Sequence, residues 1–177
     1  MKTIIFLMVL FCTLSCKKNN VELSNSEKYL HKKSFDDTIL KKRFPNNKLE
    51  YVIIAKDSLG SNELHLSYYE NGNLREKGLQ GIVSNKDVNT KTDVQTWFYY
   101  DQLKKLDSTI YYNNDEFKKD YIEKKRYAKN GNLISVEYYN NYILYENEVD
   151  SIGVWKKYND EGKLIETIEH KKKSYLK

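Results

Sequence analysis

Apolar and aromatic residues recur along the chain in short runs separated by polar breaks, which is the pattern of successive β-strands. Runs such as YVIIA, TWFYY, STIYY and LISVEYY are rich in β-branched and aromatic side chains. No long helical pattern lies between them, so parallel strands with helical crossovers are not expected. The pattern therefore predicts an all-β fold, with about ten strands joined in order as an antiparallel meander.

A repeated spacing predicts where the hairpin turns lie. In four segments a Tyr is followed six residues later by a Leu, and three of the four carry a Gly four residues after the Tyr. The pairs are Tyr68/Leu74, Tyr100/Leu106, Tyr127/Leu133 and Tyr158/Leu164, and the glycines are Gly72, Gly131 and Gly162. A three-residue hairpin loop closed by a left-handed residue, with Gly as that residue, places each Tyr opposite its Leu. We therefore expect stacked hairpins with a Tyr–Leu contact behind each turn.

Other polar segments suggest further turns. Lys104 stands where the other copies have Gly, so its turn is expected either to differ or to carry strain. Pro45-Asn46-Asn47 separates two apolar runs and suggests one more hairpin before the first clear repeat. The pairs Asn113-Asn114 and Asn140-Asn141 are short polar breaks at which the chain can turn back.

Alternation along the strands predicts a thin, curved sheet. In LIETIEH, strict alternation puts Leu164, Glu166 and Ile168 on one face, so neither face is purely apolar. Trp97 and Trp155 are the only two tryptophans, and each lies three residues before a repeat Tyr, as a packing residue of the repeat. Tyr rings and Lys stems that cover each other suit a single layer better than a thick sandwich.

The last copy carries the motif G-x-W-x-x-Y-x-x-x-G-x-L, from Gly153 to Leu164. This motif resembles the MORN-variant repeat of bacterial proteins, some of which are catalogued as YwqK-type antitoxins. The resemblance covers about residues 64–172 and is poorest around Tyr100 to Leu106. It implies a curved sheet of stacked hairpins that binds or scaffolds, with no catalytic residue. RYAKNGNLISVEY is also similar to the YD repeats of large secreted shells, which we rank second because the Gly–Trp start is MORN-like.

The first residues have the features of an export signal. Lys2 precedes an unbroken apolar run from Ile4 to Phe11, which suits a signal peptide and is too short to span a bilayer. Ser15 then precedes Cys16, which resembles the lipobox of bacterial lipoproteins, although Thr13 and Leu14 depart from the usual box. The alternative is an ordinary cleaved signal peptide with a stray cysteine. Cys12 fits a lipobox less well because bulky Phe11 precedes it.

The lipobox divides the chain into three parts. We expect residues 1–15 to be a signal peptide, residues 16–35 to be the lipidated Cys16 and a polar tether, and residues 36–177 to be the hairpin-repeat domain. A short helix is expected near residues 26–33. The lipid would anchor the protein to a membrane of the cell envelope. Acidic residues that mark surface export in some bacteria do not follow Cys16, which favours the periplasmic side.

Composition and motifs argue against several classes of function. The net charge of +5 on 177 residues is mild and acids nearly match bases, so nucleic acid is not an expected partner. The three histidines, His31, His65 and His170, are far apart, and no metal-binding, phosphate-binding or nucleophile motif occurs. We therefore expect no metal, no cofactor and no catalysis.

Tyrosines are the candidates for a ligand surface, if one exists. Strand packing is the commoner role for tyrosine in a sheet, but a Tyr-lined sheet can bind sugars or peptides. The candidates are Tyr99, Tyr111, Tyr112, Tyr138, Tyr139 and Tyr142. The first hypothesis is a lipid-anchored envelope protein whose repeats bind another macromolecule, either a protein or an envelope polymer. The alternatives are an immunity protein or antitoxin that neutralises a toxin in the periplasm, and an enzyme acting on envelope glycans or lipids. No oligomeric state is assigned.

Overall fold

The computed structural model describes residues 37–85, 88–114, 121–146 and 148–170. These residues form one open ten-stranded antiparallel sheet in which every strand pairs with the next strand along the chain, so the predicted all-β meander is confirmed. The strands are β1 (Asp37–Arg43), β2 (Leu49–Ala55), β3 (Glu63–Tyr68), β4 (Leu74–Asn85), β5 (Val88–Tyr100), β6 (Leu106–Asn113), β7 (Tyr121–Tyr127), β8 (Leu133–Tyr139), β9 (Gly153–Tyr158) and β10 (Leu164–His170). A one-turn helix, α1 (Tyr142–Tyr145), lies between β8 and β9. The predicted signal peptide, Cys16, the tether and its short helix lie outside the described residues.

The predicted turn geometry is confirmed at the three glycine positions. Gly72, Gly131 and Gly162 have φ values of 90°, 89° and 81°, in the left-handed region that Gly adopts at little cost. In the last copy the Asn159 amide donates to the Lys163 carbonyl at 2.9 Å, which closes the three-residue loop. The register behind these turns pairs Tyr68 with Leu74, Tyr127 with Leu133 and Tyr158 with Leu164.

The same turn forms twice without glycine. Lys104 has a φ of 67° and Tyr100 pairs with Leu106, so the second copy keeps the same turn geometry. Of the two expected possibilities, a different turn or a strained one, the structure has the strained turn. The turn at residues 45–47 is a fifth copy, because Asn47 has a φ of 65° and Arg43 pairs with Leu49. The Tyr of the repeat is replaced here by Arg43, whereas the Leu six residues later is kept. The sheet is therefore five hairpins in series.

Matched substitutions in two of these turns should have opposite effects on stability. Lys104→Gly is expected to stabilise the protein by about 1 kcal/mol, because a side chain in the left-handed region costs about that much. Gly131→Val is expected to destabilise it by more than about 1 kcal/mol for the same reason. Equilibrium urea unfolding measures both free energies. Shifts of the same sign in the two variants would contradict a shared turn geometry.

A bulge follows each turn and inverts the alternation of side chains. Every hairpin register shifts by one residue directly after the repeat Leu, at Glu50, Arg75, Asp107, Ile134 and Ile165. Strict alternation was therefore wrong for the last strand. With the extra residue Ile165, Leu164 shares a face with Thr167 and Glu169, whereas Glu166 and Ile168 lie on the opposite face.

The register defines two faces of the sheet. We call the face that carries Trp97 and Trp155 the tryptophan face, and the opposite face, which carries Tyr111, Tyr121 and Tyr138, the tyrosine face. Few side chains are fully buried, and Ile122, with 1% of its surface exposed, is the most buried large one. The sheet is thus a single thin layer, as expected.

Two connections differ from the predicted short turns. β6 ends at Asn113 and β7 begins at Tyr121, so Asn113-Asn114 does not form a two-residue turn. Asn140 and Asn141 likewise do not return the chain directly, because α1 follows and β9 begins only at Gly153. The Asn141 side chain instead accepts from the Leu144 amide at 3.2 Å and caps α1, a role that Asn often takes.

Candidate functional site

Each tryptophan side chain packs on the strand that precedes its own strand in the sheet. The Trp97 ring lies over Gly78, where a Cβ atom would be 2.0 Å from the indole. Its Nε1 donates to the Leu79 carbonyl at 3.0 Å. Trp155 makes the equivalent bond to the Tyr138 carbonyl at 2.9 Å. Each bond joins two successive hairpins, so both tryptophans hold hairpins together.

The centre of the tryptophan face is packed by the chain itself. Trp97, Tyr112 and Ile122 form the buried apolar cluster of the described residues. The side chains packed against this cluster are Tyr99, Ile110, Tyr139, Tyr142 and Ile143. The last two belong to α1, so α1 packs on this face. Much of the aromatic surface here is therefore used for packing.

A chain of amide groups fixes the position of α1. The Asn141 side chain hydrogen bonds to the Asn114 side chain, and Asn114 Nδ2 donates to the Asp93 carbonyl at 3.0 Å. Asn141 is only 3% exposed, so these bonds satisfy an amide that would be costly to bury unpaired. Three separate segments are joined in this way.

A group of polar side chains lies beside the apolar cluster. Gln80 Nε2 donates to the Asp93 carboxylate at 3.0 Å, and the Tyr112 hydroxyl also hydrogen bonds with it. Burial raises the pKa of Asp93, although both hydrogen bonds oppose that shift. Burial, with nearby Glu76 and Asp93, raises the pKa of Tyr99 to about 12, and burial also raises the pKa of Tyr112. Both shifts are upward because burial disfavours the charged phenolate.

His65 occupies the adjoining part of the tryptophan face. Its Nδ1 hydrogen bonds with the Tyr51 hydroxyl, and its Nε2 lies 3.3 Å from a Glu63 carboxylate oxygen. Burial raises the pKa of Glu63, but hydrogen bonds from Lys91 and His65 outweigh it, so the pKa lies below its usual value. The acidic and basic groups of this region thus satisfy one another, which is what a structural polar network requires.

The tyrosine face carries a row of aromatic rings. Tyr121 makes edge contacts with Tyr111 and with Tyr138, at centroid distances of 6.2 and 5.8 Å. All three rings are partly exposed. Burial and a hydrogen bond to Glu123 raise the pKa of Tyr138 to about 12. The row runs across β6, β7 and β8.

Lysines accompany these rings on the tyrosine face. Lys77 Nζ lies 4.7 Å from the centre of the Phe98 ring, and Lys125 Nζ lies 2.5 Å from a Glu123 oxygen. The register also places Lys156 on this face, opposite Val136. A small cavity of about 20 Å³ opens beside Phe98, between Leu64 and Leu79, and holds no more than about one water.

No family model matches the chain, and no curated protein or solved structure matches it either. In the part of the chain that the structure describes, no cluster of three or more His, Cys, Asp or Glu residues is arranged to hold a metal ion. Over the same residues, no helix has the length and apolar character needed to cross a bilayer.

The six candidate tyrosines do not share one surface. Tyr111 and Tyr138 lie on the tyrosine face and contact each other through Tyr121, which the sequence reasoning did not single out. The other four pack in or against the buried cluster of the tryptophan face: Tyr99, Tyr112, Tyr139 and Tyr142. The sequence reasoning also missed Asp93, because a lone Asp in a polar stretch gives no signal of burial.

Proposed function

We propose that this protein is a lipid-anchored component of the cell envelope whose MORN-like hairpin sheet binds another protein and performs no catalysis. The tyrosine face is the proposed binding surface. The observation that carries this proposal is the row of partly exposed rings Tyr111, Tyr121 and Tyr138 on the face opposite α1.

The composition of the tyrosine face suits a protein interface. Tyrosine is enriched at interfaces because its ring supplies a large contact area, loses little side-chain entropy and keeps a polar group for hydrogen bonding. The three rings already contact one another, so little further ordering would be needed on binding. The tryptophan face is less suited, because its central rings are packed by α1 and by each other.

The charges on this face favour a partner with an acidic surface. Lys77, Lys125 and Lys156 lie on the tyrosine face, and Glu123 is the acid beside the aromatic row. An acidic patch on the partner would complement these lysines and direct the approach. A protein with such a patch is the proposed partner, and an anionic envelope polymer is the competing outcome of the test.

Removal of two rings should abolish partner capture. The affinity-tagged double variant Tyr111→Ser with Tyr138→Ser is purified from detergent-solubilised envelopes. It is expected to capture at most about one-tenth of the partner protein that the parent captures, since central aromatic residues dominate binding energy. Arg126→Ser is the matched control, because Arg126 is exposed on β7 but lies on the tryptophan face. Mass spectrometry of the eluates, quantified against the parent protein, is the measurement.

The controls separate binding from folding. The urea midpoint of the double variant must lie close to that of the parent protein, because truncating two surface side chains changes stability little. Lost capture then reports the loss of the binding surface and not a loss of folding. Equal capture by the parent and the double variant would overturn the proposal for this face. Capture of polysaccharide without protein, also lost in the double variant, would favour the polymer.

A further inference from the structure

The four junctions between successive hairpins share one register. At each junction the residue two positions after the repeat Leu pairs with the residue directly before the next repeat Tyr. The pairs are Tyr51↔Ser67, Glu76↔Tyr99, Ser108↔Arg126 and Ser135↔Lys157. The repeat therefore specifies how one hairpin joins the next as well as how each hairpin turns.

A side chain directly after each loop adds a second link between hairpins. In the first four hairpins its nitrogen donates to a carbonyl in the next loop, at distances of 2.7 to 3.0 Å. These bonds are Lys48 to Asn71, Asn73 to Gln102, Lys105 to Lys129 and Asn132 to Asp160. Lys163 occupies this position in the fifth hairpin, where no further hairpin follows among the described residues.

Both outer strands expose apolar side chains. In β1, Ile39 is 52% exposed and Leu40 is 48% exposed. In β10, Leu164 is 47% exposed and Ile165 is 64% exposed. Each of these strands pairs with a single neighbour in the described part of the chain, so each presents a free backbone edge there.

The two edges carry opposite charges. β1 ends with exposed Lys41, Lys42 and Arg43, whereas β10 has exposed Glu166 and Glu169. Like charges opposed across a strand pair are destabilising, so neither edge suits pairing with its own kind. The charges instead favour β1 against β10, which is the order in which an additional hairpin would follow the fifth.

We propose that copies of this chain associate head to tail, with β10 of one copy pairing with β1 of the next in the register of the internal junctions. Glu166 then lies directly opposite Lys42 of the second copy, and Ile168 lies opposite its Leu40. Lys163 reaches the loop at residues 45–47 of that copy, as Lys48 and Lys105 reach theirs. Because each added copy presents a new free edge, association produces linear oligomers unless the sheet closes into a ring.

Disulfide trapping between two variants tests the register. Two full-length variants, Lys42→Cys and Glu166→Cys, are purified separately in detergent. The two samples are then mixed and oxidised gently. A disulfide-linked heterodimer is expected, because directly paired positions bring two Cβ atoms within disulfide range. Lys41→Cys mixed with Glu166→Cys is the matched control, since Lys41 lies on the opposite face and should give a yield several-fold lower. The parent protein, without an introduced cysteine, measures background.

Charge reversal provides a second readout. Lys42→Glu alone is expected to weaken self-association on the order of tenfold in analytical ultracentrifugation, and addition of Glu166→Lys should restore it. Within one chain, Lys42 forms an ion pair with Glu50, and Glu166 forms one with Lys157. Both substitutions place like charges in these pairs, so restored association in the double variant cannot come from them. A monomer at all concentrations, equal trapping at positions 41 and 42, or trapping only between identical variants would each overturn the proposal.

Discussion

Gly78→Ala is expected to destabilise the protein by about 3 kcal/mol, through overpacking against Trp97 and loss of its indole hydrogen bond. A Cβ atom at residue 78 would lie 2.0 Å from the Trp97 ring, and this ring is held by the bond to the Leu79 carbonyl. The ring cannot stay in place, and its displacement opens the buried cluster that includes Tyr112 and Ile122. Equilibrium urea unfolding followed by circular dichroism measures the change.

Gly81→Ala is the matched control, since Gly81 lies three residues further along the same strand. Its nearest atoms to a new Cβ are side-chain atoms of Asn62 and Val94 at 3.1 and 3.2 Å, which small movements can relieve. A smaller loss is therefore expected. In a Trp97→Leu background, Gly78→Ala should cost less than in the parent, because the clashing ring is gone. The same cost in both backgrounds would show that Trp97 is not the cause.

Cys16→Ser is expected to move the protein from the membrane fraction almost entirely into the soluble fraction. The lipid attached to Cys16 is the proposed anchor, and each buried acyl methylene contributes about 0.8 kcal/mol to membrane binding. Membrane fractionation with immunoblotting measures the distribution, and metabolic labelling with an alkyne fatty acid measures lipidation.

Cys12→Ser is the control for this change, because that residue lies within the proposed signal peptide. It should leave both labelling and membrane attachment unchanged. Membrane attachment that persists after Cys16→Ser, or fatty-acid label that survives it, would contradict the lipoprotein proposal. This experiment tests the membrane anchor alone, and its result does not depend on which partner the tyrosine face binds.

The hairpins were predictable because their determinants are local. Gly72, Gly131 and Gly162 mark the left-handed residue of the loop, and the Leu two residues later marks its first cross-strand pair. The fifth copy keeps the Leu at Leu49 but has Arg43 in place of the Tyr, so the Tyr–Leu spacing does not mark it. Lys104 shows that neighbouring hairpins hold the turn in this geometry even where the residue itself disfavours it.

The surface was less predictable because side-chain direction depends on non-local pairing. The bulge after each Leu inverts the alternation, so Tyr111 and Tyr112 take the faces opposite to those that strict alternation from Leu106 gives. Another irregularity at Gln95, which has a φ of 59°, lets Trp97 lie over Gly78. Neither feature has a strong local signal.

The sequence by itself determined the antiparallel pairing within the five hairpins and the positions of their turns, because both depend on residue spacing within a single hairpin. The lack of long helical connections predicted the sequential strand order. The tertiary structure decided which tyrosines pack against the buried cluster and which form the row on the opposite face, and it joined Asp93, Tyr99 and Tyr112 in one polar network. It also brought the two outer strands to opposite ends of one sheet with opposite charges. The physical reason is that burial and face depend on bulges and on contacts between hairpins, which no single repeat contains.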